Sequence, residues 1–169
     1  LPAMLIKLLP VMLLPAIIFV GPATADSVAM IQVTDLRDEA RLARDNNLVL
    51  VLEFSSEYCG YCRKLEDLFL VPMQRNAEYD AKILIRSVSL DSFETLVDFD
   101  GRSLSTAEFA SRYEVSLTPT LLFLNAEGKE LSEKLVGIWS EDFYGGFIDG
   151  RIDQAREKLR HDELTKAGI

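Results

Sequence analysis

The two cysteines of this chain, Cys59 and Cys62, are separated only by Gly60 and Tyr61. An apolar run typical of a β-strand precedes them at 48–54, and the residues after them have the spacing of a helix. A Cys-x-x-Cys pair between a strand and a helix is an arrangement suited to thiol–disulfide exchange. The partial positive charge and free N–H groups of a helix N-terminus favour a thiolate over a thiol. The pair is therefore a candidate redox site.

Other uses of the two sulfurs are less favoured by the sequence. A disulfide that closes so short a loop constrains the unfolded chain little and stabilises the fold little. A structural zinc site needs four ligands, and the one histidine, His161, lies far along the chain in a charged segment, where we expect it at the surface. We predict no metal site. Two buried thiols without chemistry are the remaining alternative.

Residues 1–25 have the layout of a secretory signal peptide. Lys7 precedes an almost entirely apolar stretch at 8–20, and a small-x-small pattern follows at 23–25. The apolar stretch is shorter than the roughly 20 residues that a transmembrane helix needs. We therefore predict a signal peptide at 1–25 and one domain at 26–169, with a retained N-terminal anchor as the alternative.

The charge balance restricts the classes of partner. The chain has 27 acidic and 18 basic residues, for a formal net charge of −9. An acidic surface repels phosphate backbones and anionic lipid headgroups. We expect neither nucleic acid nor an anionic membrane surface as a partner.

Hydrophobic periodicity and turn residues predict an alternating pattern of helices and strands. The predicted helices are 35–46, 63–71, 105–113 and a long one from 140 onward, and the predicted strands are 48–54, 82–90, 121–124 and 129–136. Thr34 is the expected N-cap of the first helix, and the second helix is expected to end before Pro72. Ser105 and Glu108 fit a capping box. A helical crossover makes the first two strands parallel, and the last two form an antiparallel hairpin.

Two further expectations concern burial. We expect Trp139 and the phenylalanines of the last helix, Phe143 and Phe147, to lie in the core. The acidic stretch 91–102 fits no calcium-binding loop. We expect its aspartates to be solvated: Asp91, Asp98 and Asp100.

From 48 to 159 the chain resembles the thioredoxin superfamily. The resemblance rests on the strand that leads into the cysteine pair and on four further residues: Thr118 and Pro119, which open a strand, and Gly128 and Gly137 at the final hairpin. It implies a thioredoxin fold of the α/β class, with a central mixed β-sheet flanked by helices on both faces. Within the superfamily, the loop at 98–101 resembles periplasmic SoxW-like thioredoxins. The Gly-Tyr spacer is similar to that of DsbC-type isomerases.

The chain also departs from the usual thioredoxin pattern. Tyr58 stands where tryptophan is usual, and Tyr61 replaces the proline between the cysteines. Glu53 matches a buried aspartate, while Ser87 occupies the place of the lysine that usually pairs with it. Asp67 replaces a proline in the helix. These departures affect the expected redox potential more than the fold.

The resemblance implies roles for three catalytic residues. Cys59 is the expected nucleophile, and Cys62 would resolve the mixed disulfide that Cys59 forms with a substrate. Glu53 would carry the proton to and from the inner sulfur. The alternative for Glu53 is a strand residue whose carboxylate reaches solvent past the end of the sheet.

The resemblance also implies substrate-binding residues. The Thr118–Pro119 bond is expected to be cis, which leaves the backbone of Thr118 free to pair with an extended substrate strand. Tyr58, Gly60 and Tyr61 surround the sulfurs, and the two tyrosines could form an apolar platform for a polypeptide. Partly packed tyrosines with polar tips are the alternative.

These expectations combine into a periplasmic thiol–disulfide oxidoreductase, with reduction as the favoured direction. Its partners would be cysteine-containing periplasmic proteins and a membrane thiol-reducing electron donor. No cofactor is needed because the electrons are held on the sulfurs, and we expect a monomer. The alternatives are a disulfide isomerase or oxidase of DsbC type, a non-catalytic binding module, and an inert scaffold.

Overall fold

The computed structural model describes residues 29–168. The predicted signal peptide at 1–25 lies outside these residues. None of the helices within 29–168 combines the length and apolar composition that crossing a bilayer requires.

The helices and strands alternate along the chain much as predicted. The helices are α1 (Leu36–Asp45), α2 (Gly60–Leu65), a π-helical segment (Glu66–Leu70), α3 (Val71–Gln74), α4 (Ala77–Asp80), α5 (Thr106–Arg112) and α6 (Tyr144–Lys166). The strands are β1 (Val49–Ser55), β2 (Ile83–Ser89), β3 (Thr95–Val97), β4 (Ser103–Ser105), β5 (Thr120–Leu124) and β6 (Leu135–Val136).

The main sheet has the strand order β2-β1-β5-β6. Strand β1 pairs with β2 in parallel and with β5 antiparallel, and β5 pairs antiparallel with β6. All seven residues of β1 are buried, as its continuous apolar run predicts for a central strand. The predicted fold, a mixed sheet between helices, is confirmed.

Alternate residues of β1 point to opposite faces of the sheet, and each face has its own apolar cluster. On one face, Val49 and Val51 pack with residues of α2, α3 and α6. On the other face, Leu50, Leu52 and Phe54 pack with residues of α1 and α5. The helices therefore cover both faces. Glu53 and Ser55 belong to the face that α2 and α6 cover.

The helix after the cysteines is longer and less regular than predicted. Pro72 does not end it, because this proline stands near the start of α3, where the missing N–H costs least. The π-helical segment Glu66–Leu70 joins α2 to α3. At α1 the N-cap is Asp35 and not Thr34, since the Asp35 side chain accepts a hydrogen bond from the N–H of Arg37.

The acidic stretch 91–102 contains β3, which pairs with β4 directly after the stretch to form a short hairpin that the sequence did not predict. The expectation of solvated aspartates is wrong for Asp98, whose residue is only 1% exposed. Its Oδ1 accepts from the backbone N–H groups of Asp100 and Arg102, and its Oδ2 lies 2.5 Å from Nη1 of Arg112. Asp98 therefore fixes the turn between the two strands.

The expected burial of the last aromatic residues is also wrong. Trp139, Phe143 and Phe147 are exposed, by 54%, 71% and 46%. Helix α6 begins at Tyr144, and its buried residues are Tyr144, Ile148, Ile152 and Ala155. This spacing places one stripe against the sheet and turns the phenylalanines away from it. Trp139 packs edge-on against Tyr144 at the margin of that stripe.

The final hairpin is less regular than predicted. Strand pairing covers only Leu135–Val136, with one further bridge between Leu124 and Glu130. The turn before it needs glycine at Gly128, where φ is +76° and a Cβ would collide with the ring of Phe99. The capping box of Ser105 and Glu108 at α5 is confirmed.

Candidate active site

The two sulfurs form a disulfide at the N-terminus of α2. Cys59 and Cys62 have Cα atoms 5.2 Å apart. Cys59 is the N-cap of the helix, and its Sγ accepts a hydrogen bond from the N–H of Cys62 at 3.0 Å. A backbone N–H aimed at Sγ, together with the positive end of the helix, favours the thiolate of Cys59 once the bond is reduced. Cys62 is 2% exposed, so the helix presents one sulfur and buries the other.

The loop before the disulfide is held in place by its neighbours. The backbone N–H of Glu57 donates to Oδ2 of Asp91 at 2.7 Å, and the guanidinium of Arg63 donates to the carbonyl of Glu57. The N–H of Cys59 donates to the carbonyl of Ser56. A side-chain hydrogen bond with Ser56 lowers the pKa of Asp91, and the bond from the N–H of Glu57 lowers it further. The contacts with Asp91 and Arg63 therefore hold the loop that carries the sulfurs in place.

The predicted substrate-binding residues lie at the same end of the sheet. Tyr58 and Tyr61 are exposed, by 86% and 60%. Gly60 is the first residue of α2 and is also exposed. The Thr118–Pro119 peptide bond is cis. Because Thr120 pairs with Phe54 near the end of β1, this bond lies at the sheet edge from which the cysteine loop leaves.

Glu53 lies in the interior and is fully buried, so its carboxylate does not reach solvent past the sheet. Among residues 29–168, neither of its carboxylate oxygens has a hydrogen-bond partner. Burial raises the pKa of Glu53 to about 8, and the negative charge of Glu66 adds to that rise. A carboxyl group with this pKa is mostly protonated at neutral pH, and only the smaller ionised fraction can take up a proton.

Ser87 occupies the position across from Glu53 on β2, as the sequence comparison with lysine-bearing thioredoxins predicts. Its Oγ lies 3.1 Å from Oγ of Ser55, so the two hydroxyls share one hydrogen bond. The adjacent Arg86 forms an ion pair with Glu39 of α1, at 2.7 Å. Since Arg86 faces the other side of the sheet, it does not neutralise Glu53.

An open cavity of ≈ 510 Å³ lies beside the inner sulfur. Cys62, Glu66 and Ser55 line it together with residues of the β3–β4 region. Glu66 is half-buried, and burial raises its pKa as well. The cavity brings water-accessible space to the side of α2 that carries Cys62.

Sequence reasoning found the cysteines, Glu53 and the proline loop, but it missed Glu66, Ser55 and their cavity. A signal was present for Glu66, because residues four apart lie on the same side of a helix and Glu66 follows Cys62 at that spacing. For Ser55 the alternation along β1 places it on the Glu53 face. Within residues 29–168, no group of three or more His, Cys, Asp or Glu side chains is arranged to hold a metal ion.

Comparison with known proteins gives one family. Residues 36–145 match the family model described as a thioredoxin-like domain. No curated protein matches the chain significantly.

Solved thioredoxin structures are also similar to this chain. Thioredoxin from Fasciola hepatica is 22% identical, with a TM-score of 0.47, and the match covers 72% of this chain and 99% of that one. Thioredoxin from Schistosoma mansoni is 20% identical, with a TM-score of 0.47 and coverage of 72% and 96%. A thioredoxin variant from Halobacterium salinarum is 24% identical, with a TM-score of 0.45 and coverage of 72% and 89%. Likenesses of this size carry no argument about activity.

The family match and the site together support a general activity. A thioredoxin-like domain whose Cys-x-x-Cys sulfurs are joined as a disulfide supports thiol–disulfide oxidoreductase activity.

Proposed function

The chain belongs to the thioredoxin-like domain family, and from this premise we propose that it is a periplasmic protein-disulfide reductase. The observation that carries the proposal is the disulfide at the start of α2, where the N–H of Cys62 donates to Sγ of Cys59. That contact favours negative charge on the sulfur that must attack a substrate.

The reaction proceeds in two exchanges. In the reduced protein, the Cys59 thiolate attacks a substrate disulfide, forms a mixed disulfide and releases one substrate thiolate. The Cys62 thiol then gives its proton to the carboxylate of Glu53, and the resulting thiolate attacks Sγ of Cys59. This step forms the Cys59–Cys62 disulfide and releases the second substrate thiolate. Two electrons pass from the protein to the substrate.

The residues around the sulfurs would hold the substrate. An extended segment would pair with the backbone of Thr118 beside the cis Pro119, as an added strand pairs with a sheet edge. The exposed rings of Tyr58 and Tyr61 would flank it, and Gly60 offers no side chain to obstruct access. The substrates proposed are cysteine-containing periplasmic proteins.

The direction and the electron donor rest on the resemblance to SoxW-like thioredoxins. A membrane thiol-reducing protein would return two electrons to the Cys59–Cys62 disulfide. We propose a monomer, with no bound cofactor and no nucleic-acid partner.

Insulin reduction by dithiothreitol tests the activity. The wild-type chain should accelerate insulin precipitation, and Cys59→Ser should not. Cys62→Ser should instead accumulate covalent adducts with protein substrates, because the mixed disulfide is not resolved. A wild-type chain that gives no acceleration, with a Cys62→Ser variant that traps nothing, contradicts the proposal.

The reduction potential tests the direction. A value near about −270 mV against glutathione would mark a reductant, and one near about −120 mV an oxidant. An isomerase of DsbC type would also restore activity to a scrambled substrate protein, whereas a simple reductase would not.

A further inference from the structure

A second apolar stripe lies on the outer side of α6. The buried stripe of this helix, which includes Tyr144 and Ile148, faces the sheet. Phe143 and Phe147 each stand one residue earlier, and a step of one residue turns a side chain by about 100° around a helix. The two rings therefore lie outside the core and are 71% and 46% exposed. A helix that is apolar on two sides is usually buried on both, whereas residues 29–168 leave this side of α6 exposed.

Trp139 joins this stripe and makes it a continuous patch. The residue is 54% exposed, and its ring centroid lies 5.4 Å from that of Phe147. Phe143 and Phe147 are one helical turn apart, and the N–H of Phe147 donates to the carbonyl of Phe143. Single exposed apolar side chains are ordinary on protein surfaces, but a contiguous group of them is typical of an interaction site. We call Trp139, Phe143 and Phe147 the aromatic patch.

The size of the aromatic patch fits a short peptide segment. Since an aromatic side chain can bury 150–250 Å², the three exposures leave roughly 350 Å² of apolar surface available for contact. A stable protein–protein interface buries about 800 Å² on each partner. The patch alone is therefore too small to hold a second folded copy of this chain, whereas a few side chains of an extended segment would cover it.

The backbone of α6 is accessible beside the two phenylalanine rings. Gly146 and Gly150 lie on the same outer side, one turn apart. Among residues 29–168, a Cβ at either glycine would meet no heavy atom within 4 Å beyond the adjoining backbone of the helix. The two glycines therefore leave open space next to the rings, in which a polypeptide can approach the helix closely.

The aromatic patch adjoins the place where the substrate segment is proposed to bind. The N–H of Gly137 donates to the carbonyl of Pro119 at 2.8 Å, and the hydroxyl of Tyr144 donates to the carbonyl of Gly137 at 2.6 Å. Trp139 lies two residues after Gly137, so their Cα atoms are within about 7 Å of each other. The Trp139 ring packs against Tyr144. The apolar surface therefore begins near the cis proline and continues along the outer side of α6.

The charges around the aromatic patch favour a basic partner. Lys64 of α2 is paired with Glu141 at 2.5 Å, and Arg151 is paired with Glu133 at 2.7 Å. These two cations are therefore already matched by carboxylates. Asp142, which directly precedes the second aromatic residue of the patch, is exposed, and the chain has a formal net charge of −9. A lysine or arginine of a partner would be attracted here, by an amount that salt reduces.

We propose that the aromatic patch is a second docking site for substrate polypeptides, and that it binds an extended segment with large apolar and basic side chains. The inference rests on the proposed function, because it names the class of substrate that the Cys59–Cys62 pair would reduce. The segment would pair with Thr118 near the sulfurs and continue over the patch. Because the patch does not touch the reacting atoms, it should strengthen substrate binding and leave the rate of exchange in the bound complex unchanged.

Peptide disulfides measure this docking. In the first peptide, a single cysteine is joined to a coloured aromatic thiol, and phenylalanines and lysines are spread along both flanks. Serines replace the phenylalanines in the second peptide, and glutamates replace the lysines in the third. The Cys59 thiolate of the reduced protein attacks the peptide sulfur and releases the coloured thiolate, and Cys62 then releases the peptide thiolate. The rate of colour release at rising peptide concentration gives a half-saturating concentration and a limiting rate.

The controls separate docking from chemistry. A small symmetrical aromatic disulfide has no peptide flanks, so its reduction reports on the sulfurs alone. The double variant Phe143→Gln/Phe147→Gln is compared with Leu164→Gln. Leu164 is the matched control because it is an exposed apolar residue of the same helix, with an exposure of 44%.

We expect the wild type to half-saturate at an about tenfold lower concentration with the phenylalanine peptide than with the serine peptide. The double variant should lose this difference and keep the wild-type limiting rate and the wild-type rate with the small disulfide. Leu164→Gln should behave as wild type. The glutamate peptide should bind about threefold more weakly at low salt. A preference that persists in the double variant, or that is lost equally in Leu164→Gln, overturns the inference. Equal binding of the glutamate peptide overturns the assignment of a basic partner.

Fluorescence keeps this test separate from the test of function. Trp139 is the only tryptophan of the chain, so its emission reports on the patch without thiol chemistry. Oxidised wild type is titrated with the phenylalanine peptide whose cysteine is replaced by serine. We expect a saturable shift of the emission to shorter wavelength, which the double variant should not show.

The two readouts fail in different ways. A shift in emission without reduction of any peptide disulfide by the reduced wild type contradicts the proposed function and supports the docking site. Normal reduction without a shift contradicts the docking site alone. A wild-type chain that dimerises in sedimentation experiments, with a double variant that stays monomeric, would assign the patch to a second copy and overturn the inference.

Discussion

Two carboxyl groups are buried to almost the same degree in this protein, yet their surroundings are opposite. Glu53 is 0% exposed and Asp98 is 1% exposed. Asp98 accepts two backbone N–H bonds and contacts Arg112, and these contacts lower its pKa despite burial. Glu53 has no such donors, so burial raises its pKa, and the negative charge of Glu66 adds to that rise.

The difference separates a carboxylate that builds structure from one available for proton transfer. A buried charge with a complete set of donors stays ionised and holds its neighbours in place. A buried carboxyl group without such donors has a raised pKa. It can therefore exchange a proton near neutral pH. Burial alone does not distinguish the two groups; their hydrogen-bond partners do.

The largest expected effect is the change in the free energy of unfolding with pH that the titration of Glu53 causes. Because the folded pKa of about 8 exceeds the ordinary 4.5, the folded state binds the proton more tightly. The contribution of Glu53 to the free energy of unfolding is fully present below pH 4.5. It is lost as pH rises to about 8, and the loss amounts to about 4 kcal/mol. Glu53→Gln should lack this decline.

Urea unfolding of the oxidised protein near pH 4.5 and at pH 8 measures this effect. The oxidised form is used because disulfide sulfurs do not titrate. Glu57→Gln, which changes an exposed acid, should keep the wild-type decline. Parallel pH profiles for wild type and Glu53→Gln would show that Glu53 is not a buried neutral acid.

The next effect is the stability that Asp98 provides. Asp98→Ala should lower the free energy of unfolding by about 3 kcal/mol, because two buried backbone N–H groups lose a charged acceptor and Arg112 loses its partner. Asp98→Asn should cost less, since an amide oxygen can still accept both N–H bonds. Urea titration at neutral pH compares the two, and insulin reduction at low temperature should be unchanged. Equal losses for both variants would assign the whole effect to Arg112.

A smaller expected effect is the pH dependence of the stability that Asp98 provides, which has the opposite sign to that of Glu53. The pKa of Asp98 is lowered below 3.8, so its contribution is present above pH 3.8 and is lost as pH falls through the lowered value. The difference in unfolding free energy between wild type and Asp98→Asn should therefore shrink in acid. A difference that stays constant or grows in acid would contradict this assignment.

The sequence predicted most of the fold because its strongest signals are local. The continuous apolar run of β1 and the capping box at Ser105 are complete within a few residues, and the structure confirms both. The cysteine pair is equally local. By contrast, the burial of Asp98 depends on Arg112, fourteen residues away on a helix, which no local pattern indicates.

The errors at the last helix have a related cause. The aromatic residues Phe143 and Phe147 have the spacing of a buried stripe, but Tyr144 and Ile148 have the same spacing one residue later. Only the orientation of α6 against the sheet decides between the two stripes. In the same way, Glu66 could be placed on the Cys62 side of its helix, while the effect of its charge on Glu53 depends on how that helix packs on β1.

The smallest expected effect tests whether a specific contact or the general positive charge holds Asp98. Arg102 has a side chain that is 68% exposed and lies 3.7 Å from Asp98, whereas Arg112 approaches to 2.5 Å. Exposed ion pairs contribute little because water screens them. Arg102→Ala should therefore leave the urea midpoint close to wild type, while Arg112→Ala should lower it clearly. A loss in Arg102→Ala equal to that in Arg112→Ala would mean that summed charge holds Asp98, and the contrast with Glu53 would then rest on charge density more than on hydrogen-bond partners.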